Sequence, residues 1–147
     1  MLKVLIVDDE TVVRRGIVLG VDWASMDCVV VGEAANGEEG LAAAERDNPN
    51  LIITDVRMPR MDGIEMMRRL REKESTAHFI ILTAYDEFDY ARAALRYGAA
   101  DYLLKPFRDQ DLMSAIARVR EKEGTAQPAE DTLLLPKGDK SKYVLQT

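Results

Sequence analysis

Short apolar runs alternate with helix-like stretches through most of the chain. Most of these runs consist of Val, Ile and Leu without polar alternation, which is typical of strands that are covered on both faces. They predict five strands, at Lys3–Val7, Cys28–Gly32, Leu51–Thr54, His78–Thr83 and Asp101–Leu104.

The stretches between and after these runs carry the signals of five helices. Apolar residues at helical spacing define a first helix over about Glu10–Gly20 and a fifth helix around Leu112, Ile116 and Val119. Polar caps and a glycine stop mark the others: Asn36 with Glu39 for the second, Asp62 with Glu65 for the third, and Asp86 and Gly98 for the start and end of the fourth.

Five strand–helix units in succession predict an α/β fold, with a parallel sheet, helices on both of its faces and right-handed crossovers. The expected architecture is flavodoxin-like and doubly wound, with five strands in the order 2-1-3-4-5 and five helices.

The character of the sequence changes after about Glu121. Residues 123–142 carry glycines and prolines among charged residues, which is typical of a linker. A chain of 147 residues has room for one domain and a short extension. We therefore expect a domain at residues 1–121 and a linker or tail at 122–147.

Charge and composition narrow the function classes. A net charge of −6, without a basic stripe, argues against DNA binding by this chain alone. The chain has no signal-peptide pattern and no apolar run near the ~20 residues that cross a bilayer, so we expect a cytoplasmic protein without a membrane segment. The single cysteine, Cys28, excludes an internal disulfide and has the setting of a buried hydrophobe.

Polar residues follow the strands at the sheet edge where ligands bind in folds of this class. In chain order they are Asp8, Asp9 and Glu10 after the first strand, Asp55 after the third, Thr83 at the end of the fourth and Lys105 after the fifth. Because strands one, three, four and five follow one another in the expected order, these groups can converge on one pocket.

The charges of such a pocket indicate its ligands. Carboxylates within a few Å repel one another unless a cation intervenes, and Mg²⁺ is a hard cation that prefers oxygen ligands. A carboxylate beside bound Mg²⁺ and an ammonium can attack a phosphoryl group and form an acyl phosphate. Taken singly, each residue has an ordinary structural explanation as a cap, a strand residue or a solvated charge. Their common edge and order favour a functional site.

Four segments resemble the response-regulator receiver domains of bacterial two-component systems: Val4–Glu10, Ile53–Gly63, Ile80–Ala84 and Asp101–Phe107. The resemblance covers roughly residues 1–121 and rests on an acid pair, an Asp followed by Met-Pro and Asp-Gly, a hydroxyl before Ala, and Lys-Pro, all in order.

The resemblance implies a role for each pocket residue. Asp55 would be the nucleophile and phosphorylation site. Asp9, Asp55 and the main-chain carbonyl of Arg57 would bind Mg²⁺, and Asp8 would act through a metal-bound water. Lys105 would pair with the phosphoryl oxygens.

It also implies a switch and two residues that set the phosphoryl lifetime. Thr83 would bond the phosphoryl group as Tyr102 swings inward. Arg57 and Tyr85 would flank the attacking water, and since both are bulky we predict a slow loss of phosphate. The Lys105–Pro106 bond is expected to be cis, with Pro106 as the cis-proline.

The implied partner is a sensor histidine kinase. Val21–Asp27 resembles the receivers that are attached to AraC-type helix-turn-helix domains, so the chain would contact DNA only through a missing C-terminal output domain and would serve transcription regulation.

A homodimer through the face of the fourth helix, fifth strand and fifth helix is a further expectation, although Asp86–Arg96 lacks the full paired charges of one well-known receiver dimer. Arg108 stands where relatives often have a helix-capping Asp, so the sequence does not define the residue at which the fifth helix starts.

Three alternatives remain at this point. An Asp-nucleophile phosphatase of the haloacid dehalogenase type would need an acid two residues after Asp55, where Arg57 stands. A flavodoxin-like flavin module would need a phosphate loop in place of Asp8 and Asp9. A receiver-like module used only for interaction would keep the fold without phosphorylation.

Overall fold

A computed structural model describes residues 1–126 of the chain. The sheet and its helices form a compact unit over Met1–Ala117. Beyond that unit the structure describes only the continuation of the last helix to Ala126, past the predicted domain end at Glu121. The remainder of the predicted linker, residues 127–147, lies outside the described residues.

All five predicted strands form one parallel sheet in the order β2-β1-β3-β4-β5, which confirms the predicted topology. The strands are β1 (Leu2–Val7), β2 (Cys28–Ala34), β3 (Leu51–Asp55), β4 (His78–Thr83) and β5 (Asp101–Leu104). The central strands β1, β3 and β4 are almost wholly buried, which is why they read as unbroken apolar runs. Cys28, at the start of β2, is buried as expected.

The helices are α1 (Thr11–Gly20), α2 (Gly37–Asp47), α3 (Gly63–Glu72), α4 (Phe88–Ala91) and α5 (Asp109–Ala126). The α4 segment is mixed, with 3₁₀ turns at Tyr85–Glu87 and Arg92–Tyr97 on either side of a four-residue α-helix. A further 3₁₀ turn at Ala24–Met26, which the sequence pattern did not predict, lies in the connection to β2.

The predicted caps of α2 and α3 are confirmed. Asn36 accepts a hydrogen bond from the Glu39 amide at 2.9 Å, and Asp62 accepts one from the Glu65 amide at 2.9 Å. Each bond satisfies one of the amides that a helix N-terminus leaves without an intrahelical partner.

The predicted cap of the fourth helix is wrong at its start and confirmed at its end. The 3₁₀ turn begins at Tyr85, with Ala84 as its cap residue, so Asp86 is already inside the turn. Neither that turn nor α4 has a side-chain cap. Gly98 ends the segment with φ at 78°, in the left-handed region that favours glycine.

Helix α5 begins at Asp109 despite the arginine at its cap position. Oδ2 of Asp111 accepts the hydrogen bond of the Arg108 amide at 3.1 Å, and Asp111 also pairs with the Arg108 guanidinium. This acid in the first turn supplies half of a capping box and explains how the helix starts here without an Asp at 108.

Candidate functional site

The parallel register brings the carboxyl ends of four strands to one edge. Asp55 lies opposite Leu82, and Thr83 lies opposite Leu104. The residues that follow β1 and β5 therefore meet the last residues of β3 and β4, as the sequence predicted.

Three of the predicted carboxylates converge there. Asp8, Asp9 and Asp55 each offer one oxygen, and these oxygens lie within 4.8 Å of one another. Asp8 and Asp55 are buried, whereas Asp9 is exposed. A set of hard oxygen donors with one open side fits a divalent cation such as Mg²⁺, which binds through one or two carboxylates and keeps several waters.

Lys105 supplies the positive charge of the site. Its Nζ lies 3.3 Å from each of three carboxylate oxygens, on Asp8, Asp55 and Glu10. The sequence identified Glu10 only as an acid after β1. Its contact with Lys105 is a feature that the sequence analysis missed.

The carboxyl groups carry more charge than one ammonium neutralises. Burial raises the pKa of Asp55 to about 7, the Asp8 carboxylate adds to the rise, and Lys105 opposes it. Burial also raises the pKa of Asp8. Burial disfavours the ammonium of Lys105, but Asp55 and Asp8 outweigh that effect and leave its pKa raised. Such a site favours a bound cation, which stabilises the ionised carboxylates.

The backbone holds the acids in place. Oδ1 of Asp55 accepts the Val56 amide at 2.9 Å, and Oδ1 of Asp8 accepts the Glu10 amide at 2.9 Å. The start of α3 packs closely on this strand end, since a Cβ atom on Gly63 would lie 2.2 Å from the Asp55 carbonyl oxygen. Only glycine fits there, which gives the Asp-Gly of the motif a physical reason.

A cavity of about 280 Å³, here called the acidic pocket, opens over these groups. It is lined by Asp9, Glu10, Asp55, Arg57, Ala84, Glu87 and Lys105. Arg57 therefore lies at the pocket, where its Nε is 3.7 Å from a carboxylate oxygen of Glu87. Among the residues that the structure describes, the lining does not include Tyr85, whose surface is 83% exposed.

The two expected switch residues lie on neighbouring strands, where Tyr102 is opposite Ile81 and Thr83 is opposite Leu104. Thr83 is buried, and its hydroxyl donates to the Ala84 carbonyl at 3.2 Å. Tyr102 is 46% exposed, and its ring packs against Phe88 with the centroids 5.3 Å apart. Tyr102 lines an apolar cavity of about 200 Å³ together with Phe88 and Leu95. The peptide bond between Lys105 and Pro106 is cis.

Within residues 1–126, none of the helices combines the length and the apolar character that a membrane crossing requires.

Comparison with known proteins identifies the family. The family model described as "Response regulator receiver domain" matches residues 4–117. The uncharacterised transcriptional regulatory protein YesN of Bacillus subtilis is 35% identical over 119 residues, which are 81% of this chain and 32% of that protein. The transcriptional regulatory protein BtsR of Escherichia coli is 37% identical over 141 residues, which are 96% of this chain and 56% of that protein. This chain thus spans about a third to a half of the length of these relatives.

Solved structures agree in fold and in sequence. The receiver domain of AraT, a response regulator of Geobacillus stearothermophilus, superposes with a TM-score of 0.82 at 44% identity, covering 86% of this chain and 98% of that one. A two-component transcriptional regulator AraC of Clostridium phytofermentans gives 0.79 at 30% identity, covering 87% and 99%. The chain therefore belongs to the response regulator receiver domains, the regulatory phosphoacceptor domains of two-component systems.

Proposed function

We propose that Asp55 accepts a phosphoryl group from the phosphohistidine of a sensor histidine kinase, with Mg²⁺ as the cofactor. The observation that carries this proposal is the convergence of Asp8, Asp9 and Asp55 within 4.8 Å of one another, with Nζ of Lys105 at 3.3 Å from Asp55. Membership of the receiver family supports the same chemistry.

In the transfer, an Asp55 oxygen forms a bond to phosphorus while the bond from phosphorus to the histidine nitrogen breaks. Lys105 turns from the carboxylates to the phosphoryl oxygens. Asp9, Asp55 and the main-chain carbonyl of Arg57 would hold the cation, and Asp8 would contribute through a metal-bound water. Mg²⁺, when bound, neutralises charge on the phosphoryl oxygens. The domain thereby assists its own phosphorylation and, with water as the attacking group, its own dephosphorylation.

The phosphorylated state is relayed by Thr83 and Tyr102. The acyl phosphate adds a charge of about −2 beside β4, and the Thr83 hydroxyl turns from the Ala84 carbonyl to donate to it. Tyr102 then leaves its outward position against Phe88 and moves inward. The face formed by α4 and β5 changes, which shifts a two-state equilibrium.

The output lies outside this chain. The chain spans only part of its regulatory relatives, and one similar structure is described as a two-component transcriptional regulator AraC. We infer that residues 122–147 lead to an AraC-type helix-turn-helix domain, through which alone the protein contacts DNA. A homodimer through the face of α4, β5 and α5 would present two such domains together.

The lifetime of the acyl phosphate is set by Arg57 and Tyr85, the residues two positions after Asp55 and Thr83. Both are bulky, so loss of phosphate is slow. The position of Arg57 in the lining of the acidic pocket supports its share of this role. Replacing both residues with Ala should speed hydrolysis, and an unchanged rate would contradict the assignment.

Intact-protein mass after incubation with acetyl phosphate tests the central proposal. Wild type is expected to gain one phosphoryl group only when Mg²⁺ is present, and Asp55→Asn is expected to gain none. Asp89→Asn is the matched control, because Asp89 is an acid whose side chain is 96% exposed.

A folded wild type that gains no mass with acetyl phosphate or with a phosphorylated kinase would exclude phosphorylation and leave a receiver-like interaction module. Gain of the group by Asp55→Asn would assign the phosphorylation to another residue.

A further inference from the structure

A chain of side-chain contacts runs from the start of α3 to α4, beside the acidic pocket. Asp62 caps α3 with one carboxylate oxygen and accepts a hydrogen bond from the Tyr90 hydroxyl with the other. The guanidinium carbon of Arg57 lies over the Tyr90 ring, 4.5 Å from its centroid. The same guanidinium has a second contact, with Nε of Arg57 3.7 Å from the Glu87 carboxylate.

These contacts restrain a side chain that is otherwise free to move. The Arg57 side chain is 59% exposed, and a long exposed arginine samples many rotamers unless a contact selects one. The ring face of Tyr90 and the carboxylate of Glu87 select one position. The hydrogen bond to Asp62 in turn fixes the ring, because Asp62 is itself held by the α3 amide of Glu65.

The selected position matters because of where it lies. Arg57 and Glu87 both line the acidic pocket, and so does Asp55. A water that hydrolyses the acyl phosphate must reach phosphorus through this opening. Its oxygen bonds to phosphorus, the bond from phosphorus to the Asp55 oxygen breaks, and inorganic phosphate leaves while the proton passes to phosphate or solvent.

We propose that Tyr90 is a positioning residue that holds the Arg57 guanidinium over the acidic pocket and so slows the loss of the phosphoryl group from Asp55. The inference rests on the proposed function of Asp55 and on the role of Arg57 in setting the lifetime. Tyr90 is not among the described residues that line the pocket. The inference adds it as the residue through which α4 controls that lifetime.

A double-mutant cycle of dephosphorylation rates tests the proposal. Tyr90→Leu removes the ring face and is expected to speed phosphate loss by about two- to fivefold, the effect of one exposed cation–π contact. In an Arg57→Ala background, Tyr90→Leu should change the rate no further. Tyr90→Phe keeps the ring and loses the hydroxyl, so its rate should lie between wild type and Tyr90→Leu.

Two outcomes would overturn the proposal: an unchanged rate in Tyr90→Leu, or an equal acceleration with and without Arg57. A purely structural role of Tyr90 would give the second result. Arg46→Ala is the matched control, since Arg46 is an exposed arginine paired with Asp47 on α2, and it should leave the rate unchanged.

A second measurement needs no phosphoryl group and separates this inference from the proposed function. The aromatic NMR resonances of Tyr90, assigned with Tyr90→Phe, should shift in Arg57→Ala and stay in place in Arg46→Ala. If wild type takes up no phosphoryl group but these resonances shift, the contact stands and the proposed function fails. If the group is taken up and the resonances do not shift, the positioning role of Tyr90 is wrong.

Discussion

Lys105 has three carboxylate partners, at 3.3 Å on Asp8, Asp55 and Glu10. An arriving phosphoryl group must draw the ammonium away from some of them. Asp8 and Asp55 are buried and can be balanced by a bound cation, but Glu10 lies at the exposed side of the acidic pocket, with a side chain that is 61% exposed. Glu10 is therefore the partner that competes with the phosphoryl group without helping to bind it.

Glu10→Gln should speed phosphorylation for that reason. The variant removes one negative charge from the path of an anionic donor, and it removes one of the ion pairs that hold the Lys105 ammonium. Exposed ion pairs are worth about 0.2–1 kcal/mol, so we expect an increase of up to about fivefold in the initial rate. The rate is measured by intact mass against time with acetyl phosphate and Mg²⁺.

Glu38→Gln serves as the control, because Glu38 is an exposed acid paired with Arg60 outside the acidic pocket. A slower rate in Glu10→Gln would mean that Glu10 positions Lys105 productively instead of competing for it.

Among the elements, the α4 segment differs from the other helices. It combines a short α-helix with two 3₁₀ turns and has no side-chain cap at the start of either the first turn or α4. Helices α2 and α3 instead begin with side-chain caps and are continuous. Helix α1 also lacks a side-chain cap, so the 3₁₀ turns are what distinguishes the α4 segment. Their poorer hydrogen bonds, together with the uncapped start, lower the cost of moving this segment, which fits its place beside the switch residues.

A pair of cap variants tests this difference. Asn36→Ala removes the bond to the Glu39 amide and should lower the free energy of unfolding by about 1 kcal/mol. Asp86→Ala removes no cap, so its effect should stay within about 0.5 kcal/mol. Urea denaturation followed by circular dichroism measures both. An equal loss in the two variants would mean that Asp86 does cap the segment in solution.

Much of the fold could be predicted because its signals are local. The strands are buried apolar runs, and Asn36 and Asp62 bond amides only three residues away. Asp86 is also of a residue type that caps helices, but the 3₁₀ turn begins at Tyr85, one residue before it, and leaves that acid inside the turn. A cap depends on where the first turn starts, and composition alone does not fix that point.

The parts of the site that were missed depend on contacts between distant segments. Arg57 meets Tyr90 and Glu87 only because α4 packs beside the loop after β3. Arg71 is a similar case, since it donates to the carbonyls of Ser75, Ala77 and Tyr97 and so ties α3 to the end of the α4 segment. The sequence shows the residues of such contacts, but their rotamers and partners follow from packing.

At the scale of the whole molecule, the family match decides among the alternatives that the sequence left open. The receiver model covers residues 4–117, which include every pocket residue, so a haloacid dehalogenase phosphatase and a flavin module are not supported. A receiver must pass its state to another surface. Exposed Leu95 and half-exposed Tyr102 line the apolar cavity between α4 and β5. A movement of Tyr102 therefore changes the surface of a face that is open to a partner.

If that face joins two copies, phosphorylation should raise the dimer fraction, and Leu95→Asp should abolish the rise without preventing phosphoryl uptake. Leu95 is 62% exposed, and a charge there must be desolvated in a dimer but costs little in the monomer. Sedimentation velocity of the phosphorylated protein measures the dimer, and intact mass checks the uptake. Leu19→Asp is the control, since Leu19 is 75% exposed on α1, away from α4 and β5 in the chain. If Leu19→Asp abolishes the dimer and Leu95→Asp does not, the two copies meet through α1, and the movement of Tyr102 must reach them by another route.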